Sequence, residues 1–67
     1  MFDLIEARRE RAGISQLELC RRAGIHPTSY SSRKNGRSQM REESLAKLER
    51  AMSALIDEKR KALADAA

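Results

Sequence analysis

The sequence predicts an all-α fold: a compact domain of four to five helices whose last helix extends beyond the others. Three observations predict it. A content of 40% hydrophobic and 36% charged residues suits a helical globule rather than a disordered tail. Phe2 and Tyr30 are the only aromatic residues, which argues against a β-sandwich. The chain also divides into segments of helical periodicity, each with its own start and stop signals. A chain of 67 residues makes one domain with a small core. Dimerisation or very regular helix packing is therefore expected to supplement it.

The first segment, residues 3–12, reads DLIEARRERA. Asp3 stands at the N-cap position, Leu4, Ile5 and Ala12 share a face, and Gly13 ends the helix as a left-handed residue. Ser15-Gln16-Leu17-Glu18 is a capping box, in which the serine oxygen takes the Glu18 amide and the glutamate returns to the Ser15 amide. Ile14 and Leu19 flank it as a hydrophobic staple. Leu19, Cys20 and Ala23 then face one way, and Gly24 stops this second helix. Only Ile25 and His26 separate that stop from Pro27, which suits a first helical position because its missing N–H is no loss there. The third helix runs from Pro27 to about Lys34, ended by Asn35-Gly36, with Ile25 and Tyr30 as a second staple. Two short helices joined by a turn of about three residues make a helix-turn-helix. Beyond the polar link Arg37-Ser38-Gln39, Leu45, Leu48, Met52 and Leu55 recur at spacings of three and four, with Ile56 and Leu63 beside the seam. The pattern allows one long helix over 41–66 or two helices broken near Ser53.

The formal net charge of +4 is unevenly placed. Residues 1–40 carry eight Lys/Arg against four Asp/Glu, while residues 41–67 carry six of each. A basic front half suggests a surface facing a polyanion, and a balanced rear half suggests another task. Two aromatics are too few for a single-strand stacking platform. The lone Cys20 has no internal disulfide partner and no metal-ligand set spaced around it, so it reads as a small core residue. One histidine, His26, leaves no material for a hydrolase triad, and no glycine-rich phosphate loop is present. No apolar run approaches the roughly 18–20 residues that span a bilayer. Neither a catalytic residue, a cofactor nor a small-molecule ligand is expected, and the expected compartment is the cytoplasm.

Residues 14–36, ISQLELCRRAGIHPTSYSSRKNG, resemble the Cro/C1-type, or XRE-type, helix-turn-helix family of phage and bacterial regulators. Ile14-Ser15-Gln16, Glu18-Leu19, the small Cys20, Ala23-Gly24, Tyr30 at an apolar position and Asn35-Gly36 carry the likeness. With the Leu/Met seam it covers about residues 4–56. The resemblance implies a lambda-repressor-like domain over 1–56, its helix-turn-helix at 15–34, followed by a helical extension over 57–67. It also implies a sequence-specific regulator of transcription, more often a repressor, binding a double-stranded DNA operator as a homodimer.

On that geometry helix 15–23 crosses the phosphate backbone and helix 27–34 enters the major groove. Pro27, Thr28, Ser31 and Ser32 then face the bases, with hydroxyls where strong readers carry amides or arginines. Gln16, at the positive end of its helix dipole, meets a phosphate. Arg33, Lys34, Asn35 and Arg37 are further phosphate candidates. Two positions depart from the family pattern. Lys34 stands where many relatives have a glutamate, so an arginine of the first helix is expected to lack its acidic partner. Arg33 stands where an apolar or aromatic residue is usual, so its stem packs while its guanidinium snorkels to phosphate, or the core is looser there.

More local roles compete with several of these. Tyr30 reads as core before it reads as a stacking residue, and His26 as a helix cap before a DNA contact. Arg8, Arg9, Arg11, Arg21 and Arg22 read mainly as a solvated face. Glu42-Glu43 and Asp57-Glu58 read as surface charge with i,i+4 partners, Glu43–Lys47 and Asp57–Lys61. The seam past Leu55 exceeds what the core needs, which nominates Leu55, Ile56, Lys59 and Leu63 as dimer contacts. The alternative reading is a helical protein-interaction module, an antitoxin-like or adaptor subunit with weak or no DNA binding.

Overall fold

A computed structural model describes residues 1–66. It contains four helices and no strand among these residues: α1 (Phe2–Ala12), α2 (Gln16–Ala23), α3 (Pro27–Lys34) and α4 (Glu42–Ala66). The all-α expectation holds, at four helices. The seam over 41–66 forms one helix, unbroken at Ser53. Twenty-five residues at ~1.5 Å each make α4 far longer than the body it packs on. The molecule accordingly measures 43 × 18 × 18 Å.

Helices α1 and α2 stop for the same reason. Gly13 and Gly24 take left-handed φ values of 69° and 71°, which cost glycine no Cβ clash. Each closes a Schellman motif: the Gly13 amide donates to Glu10 O at 3.1 Å and the Ile14 amide to Arg9 O at 3.1 Å. At the second stop the Gly24 amide donates to Arg21 O at 3.3 Å and the Ile25 amide to Cys20 O at 2.9 Å. The isoleucine after each glycine turns into the apolar centre, Ile14 fully and Ile25 in part. The starts are set by side chains. Ser15 Oγ accepts the Glu18 amide at 3.0 Å. The return half of the box is replaced, because the Glu18 carboxylate lies toward Lys59 of α4, 3.9 Å away.

The core gathers Phe2 and Ile5 of α1, Ile14, Leu19 and Cys20 around α2, Tyr30 of α3, and Leu48, Ala51, Met52 and Leu55 of α4. Helix α4 packs along α1 and α2, and α3 packs on α2. Three expectations are corrected here. Helix α1 begins at Phe2, with Met1 at its N-cap and Asp3 inside its first turn. Burial of the Phe2 ring extends the helix by one residue and turns its inner face onto Phe2, Ile5 and Ala12, so Leu4 is left 70% exposed. Leu55 is only 6% exposed and belongs to the protomer's own core. The ion pairs of α4 run across to α2, Glu58 to Arg22 and Lys59 to Glu18, and among the described residues neither Glu43–Lys47 nor Asp57–Lys61 pairs.

Candidate nucleic-acid interface

The helix-turn-helix is assembled from α2, the turn at Gly24-Ile25-His26, and α3. Cys20 is fully buried at the centre of α2, where a small side chain lets the neighbouring helices approach. Burial also pushes its thiol pKa up, which favours the protonated form of a packing residue. His26 caps α3: its Nδ1 accepts the Thr28 amide at 3.1 Å. That use of Nδ1 leaves the proton of a neutral ring on Nε2. Pro27 opens the helix with the fixed φ that a first position wants.

Helix α3 has eight residues and buries only one of them, Tyr30. So short a helix with so small an apolar footprint needs other anchors to hold its angle. They come from α1. The Tyr30 ring packs tilted on Phe2, centroids 4.9 Å apart and planes at 59°. The Tyr30 hydroxyl donates to Glu6 Oε1 at 2.6 Å. Lys34 Nζ lies 3.2 Å from Glu6 Oε2. The same carboxylate receives Arg9 Nε at 2.7 Å and Nη2 at 2.9 Å, and Arg9 Nη1 donates to Ile14 O at 2.7 Å. One carboxylate thus joins α1 and α3, and its arginine reaches the α1–α2 turn.

The electrostatics follow from that geometry. Hydrogen bonds from Arg9 are the largest influence on Glu6, and with those from Tyr30 and Lys34 they outweigh desolvation, holding its pKa down at about 2. Arg9 is held firmly protonated by the same pair. Burial, then the hydrogen bond to Glu6, pushes the Tyr30 pKa upward. No buried side-chain polar atom among the described residues lacks a partner.

The periodicity of α3 sorts the predicted contacts into two groups. Thr28, Ser31 and Asn35 follow each other at spacings of three and four, and all three are exposed on the outward side together with Pro27. Ser32 lies half-buried at the edge. Arg33 and Lys34 stand three and four residues after Tyr30 and therefore share its inward side. The Arg33 guanidinium carbon sits 4.9 Å from the centre of the Phe2 ring, and Lys34 is held by Glu6. Both predicted phosphate ligands direct their charge onto α1. Nor is the first-helix arginine without an acidic partner: Glu6 supplies it within α1, and the tie to position 34 is kept with the basic group on α3.

After α3 a third Schellman closure forms, with the Gly36 amide donating to Arg33 O at 3.1 Å and the Arg37 amide to Ser32 O at 2.8 Å. Where the earlier glycines are followed by isoleucines that turn inward, Ile14 buried and Ile25 half-buried, this one is followed by exposed Arg37. The motif that elsewhere turns the chain inward here presents a cation beside α3. Gln16 lies half-buried at the first turn of α2.

Sequence reasoning missed a second basic patch. A groove of 380 Å³ beside the start of α3 is lined by His26, Ser29, Ser38, Gln39, Arg41 and Lys47, among others. Its signal was available: from Leu19 to Arg41 the chain carries six Lys/Arg and no Asp or Glu. The whole of α3 and the turns on either side of it, as far as Arg41, are thus free of carboxylates that would repel phosphate, and acids return only with Glu42 and Glu43 in the first turn of α4.

No helix among the described residues is long and apolar enough to cross a membrane. No curated protein and no solved structure matches the chain significantly. The family model described as helix-turn-helix matches residues 5–58. That span takes in α1 from Ile5 onward, both motif helices, the anchoring carboxylate and the packed part of α4, and the chain belongs to the Cro/C1-type (XRE-type) helix-turn-helix family of DNA-binding regulators.

Proposed function

We propose that this protein is a sequence-specific regulator, of repressor type, that binds its duplex operator as a homodimer in the cytoplasm of a bacterial or phage-infected cell. Helix α3 lies in the major groove. Pro27, Thr28 and Ser31 face base edges with Ser32 at their margin, while Gln16, Asn35 and Arg37 meet the flanking phosphates. The observation that carries this reading is the acid-free stretch Leu19–Arg41, folded so that its hydroxyls and amides point outward. His26 Nε2, Arg41 and Lys47 add a phosphate-facing edge next to the first turn of α3.

Base readout from three hydroxyls and a proline ring is modest, so backbone contacts supply most of the affinity. Fluorescence anisotropy on duplex DNA across a salt series tests this. Affinity is expected to fall by about 0.9 log units per log unit of salt for each phosphate neutralised. Arg37→Ala is expected to weaken binding on every sequence and to reduce that slope by about one such contact per protomer, whereas Thr28→Ala changes which sequences are preferred. Absence of salt-dependent duplex binding at micromolar protein would overturn the proposal in favour of a protein-interaction module.

A further inference from the structure

We propose that His26 is a positioning residue whose protonation governs how well α3 reads base edges: the neutral ring holds the first turn of α3, and the protonated ring releases it. The inference rests on the duplex-binding reading above and adds to it the regulation of the reading helix. Pro27 has no amide hydrogen, so the first backbone donors of α3 are those of Thr28, Ser29 and Tyr30. All of them end on His26. The Ser29 amide donates to the His26 carbonyl at 3.0 Å and the Tyr30 amide to the same oxygen at 3.3 Å. The Thr28 amide donates to ring Nδ1 at 3.1 Å.

The carbonyl keeps its donors at any pH, but the ring does not. Nδ1 accepts only while it is unprotonated, and a charged imidazolium carries a hydrogen on each nitrogen. Proton uptake therefore takes the acceptor from one amide in particular, that of Thr28, the residue set against base edges. Packing does not replace it. Pro27, Thr28 and Ser29 are all exposed, so no apolar contact fixes this turn before Tyr30 is reached.

The ring also faces charge of one sign. The groove it lines carries Arg41 from the link after α3 and Lys47 from α4, and its other polar side chains are serines and a glutamine. The acids nearest along the chain, Glu18 before the ring and Glu42 and Glu43 after it, are not among the lining residues. A protonated ring thus meets two cations in the groove and no anion, whereas the phosphate of a bound duplex supplies one. Proton uptake moves His26 from capping toward gripping. It adds a cation for any duplex and loosens the turn that distinguishes one duplex from another, so acid trades base selectivity for unselective affinity.

Fluorescence anisotropy from about pH 8 to about pH 5, the span in which a histidine side chain changes charge, tests this on two duplexes. One is selected by the protein at the upper pH from a randomised pool, and the other has the same composition in shuffled order. Across that span the wild type should lose about fivefold of its preference for the selected duplex, the worth of one helix cap. His26→Asn keeps an acceptor that does not titrate, so its preference should stay high and flat. His26→Ala has no acceptor, so its preference should be low and flat. His26 is the only histidine, and both variants keep every other titrating group. Far-UV circular dichroism verifies their helices, and ring nitrogen chemical shifts of the wild type at the upper pH should show the Nε2–H tautomer. A proton on Nδ1 there, a preference constant with pH, or one that falls equally in His26→Asn would overturn the positioning role and leave DNA binding intact. Absence of salt-dependent binding to either duplex would overturn the DNA reading as well.

Discussion

Helix α4 and helix α3 are held to the same small body by different forces. Along α4, the buried side chains Leu48, Ala51, Met52 and Leu55 mesh with α1 and α2, and no charge takes part in that seam. Helix α3 contributes one buried side chain and depends on a carboxylate, a phenol, an ammonium and a guanidinium from or toward α1. Apolar burial is strong and non-directional. Hydrogen bonds are weaker in net energy but fix direction. The seam therefore decides whether the domain folds. The Glu6 cluster sets the angle at which α3 is presented, and under the proposed function that angle is what a DNA groove would read. Substitutions in the two regions should separate stability from recognition.

The largest effect is expected in the seam. Leu48→Ala or Met52→Ala removes a fully buried side chain and leaves a cavity, at about 2–5 kcal/mol. A domain of this length holds only about 3–10 kcal/mol in total. Thermal or urea unfolding should show either variant largely unfolded or barely stable at 37 °C. Its loss of DNA binding should track the unfolded fraction and vanish where added osmolyte restores the fold. Binding that stays weak in a fully refolded variant would place the seam in recognition as well, and the distinction would fail.

Glu6→Gln comes next and should show the opposite pattern. Glutamine can still accept from Tyr30, but Arg9 and Lys34 lose their anion. The Glu6 pKa lies at about 2 in the folded chain against an ordinary 4.5. A carboxylate depressed on folding contributes stability that is complete above its unfolded value and lost as pH falls through its folded one. Discounting for its partial exposure, the contribution is about 2–3 kcal/mol at neutral pH. The wild type should thus lose stability between about pH 4.5 and pH 2, and Glu6→Gln should be less stable at pH 7 with a flatter profile over that window. Duplex affinity at pH 7 should drop even at temperatures where circular dichroism shows the variant folded. Equal affinity for folded variant and wild type would reduce the cluster to a stabilising role.

The two regions also differ in how much of them the sequence discloses. The seam is readable because apolar residues at spacings of three and four have one physical interpretation, and the stops at Gly13, Gly24 and Gly36 are readable because left-handed backbone favours glycine. The outward face of α3 followed once its start at Pro27 was placed. The anchoring cluster was not readable, since Glu6, Tyr30 and Lys34 lie far apart in the chain and a charged residue in a helix usually means a solvated face. Lys34 in particular reads from the sequence as breaking a pairing, because composition does not tell that a carboxylate on α1 has taken the complementary charge. Phe2 was overlooked for a related reason: its burial depends on Tyr30, a partner that periodicity within α1 cannot supply.

Arg33 gives the smallest effect and tests the comparison most closely. If its guanidinium stays over the Phe2 ring, 4.9 Å from the centre, it belongs with the anchoring cluster. Arg33→Met keeps a long stem against the ring and removes the charge, so stability should fall by only about 0.5–1 kcal/mol, the worth of the cation–π contact. Duplex affinity should change little, and the salt slope should stay as in the wild type. Were Arg33 instead to leave Phe2 for a phosphate on binding, the slope would drop by about 0.9 per protomer while stability of the free protein barely moved. Measuring both quantities on one variant distinguishes a residue that aims α3 from one that grips the DNA.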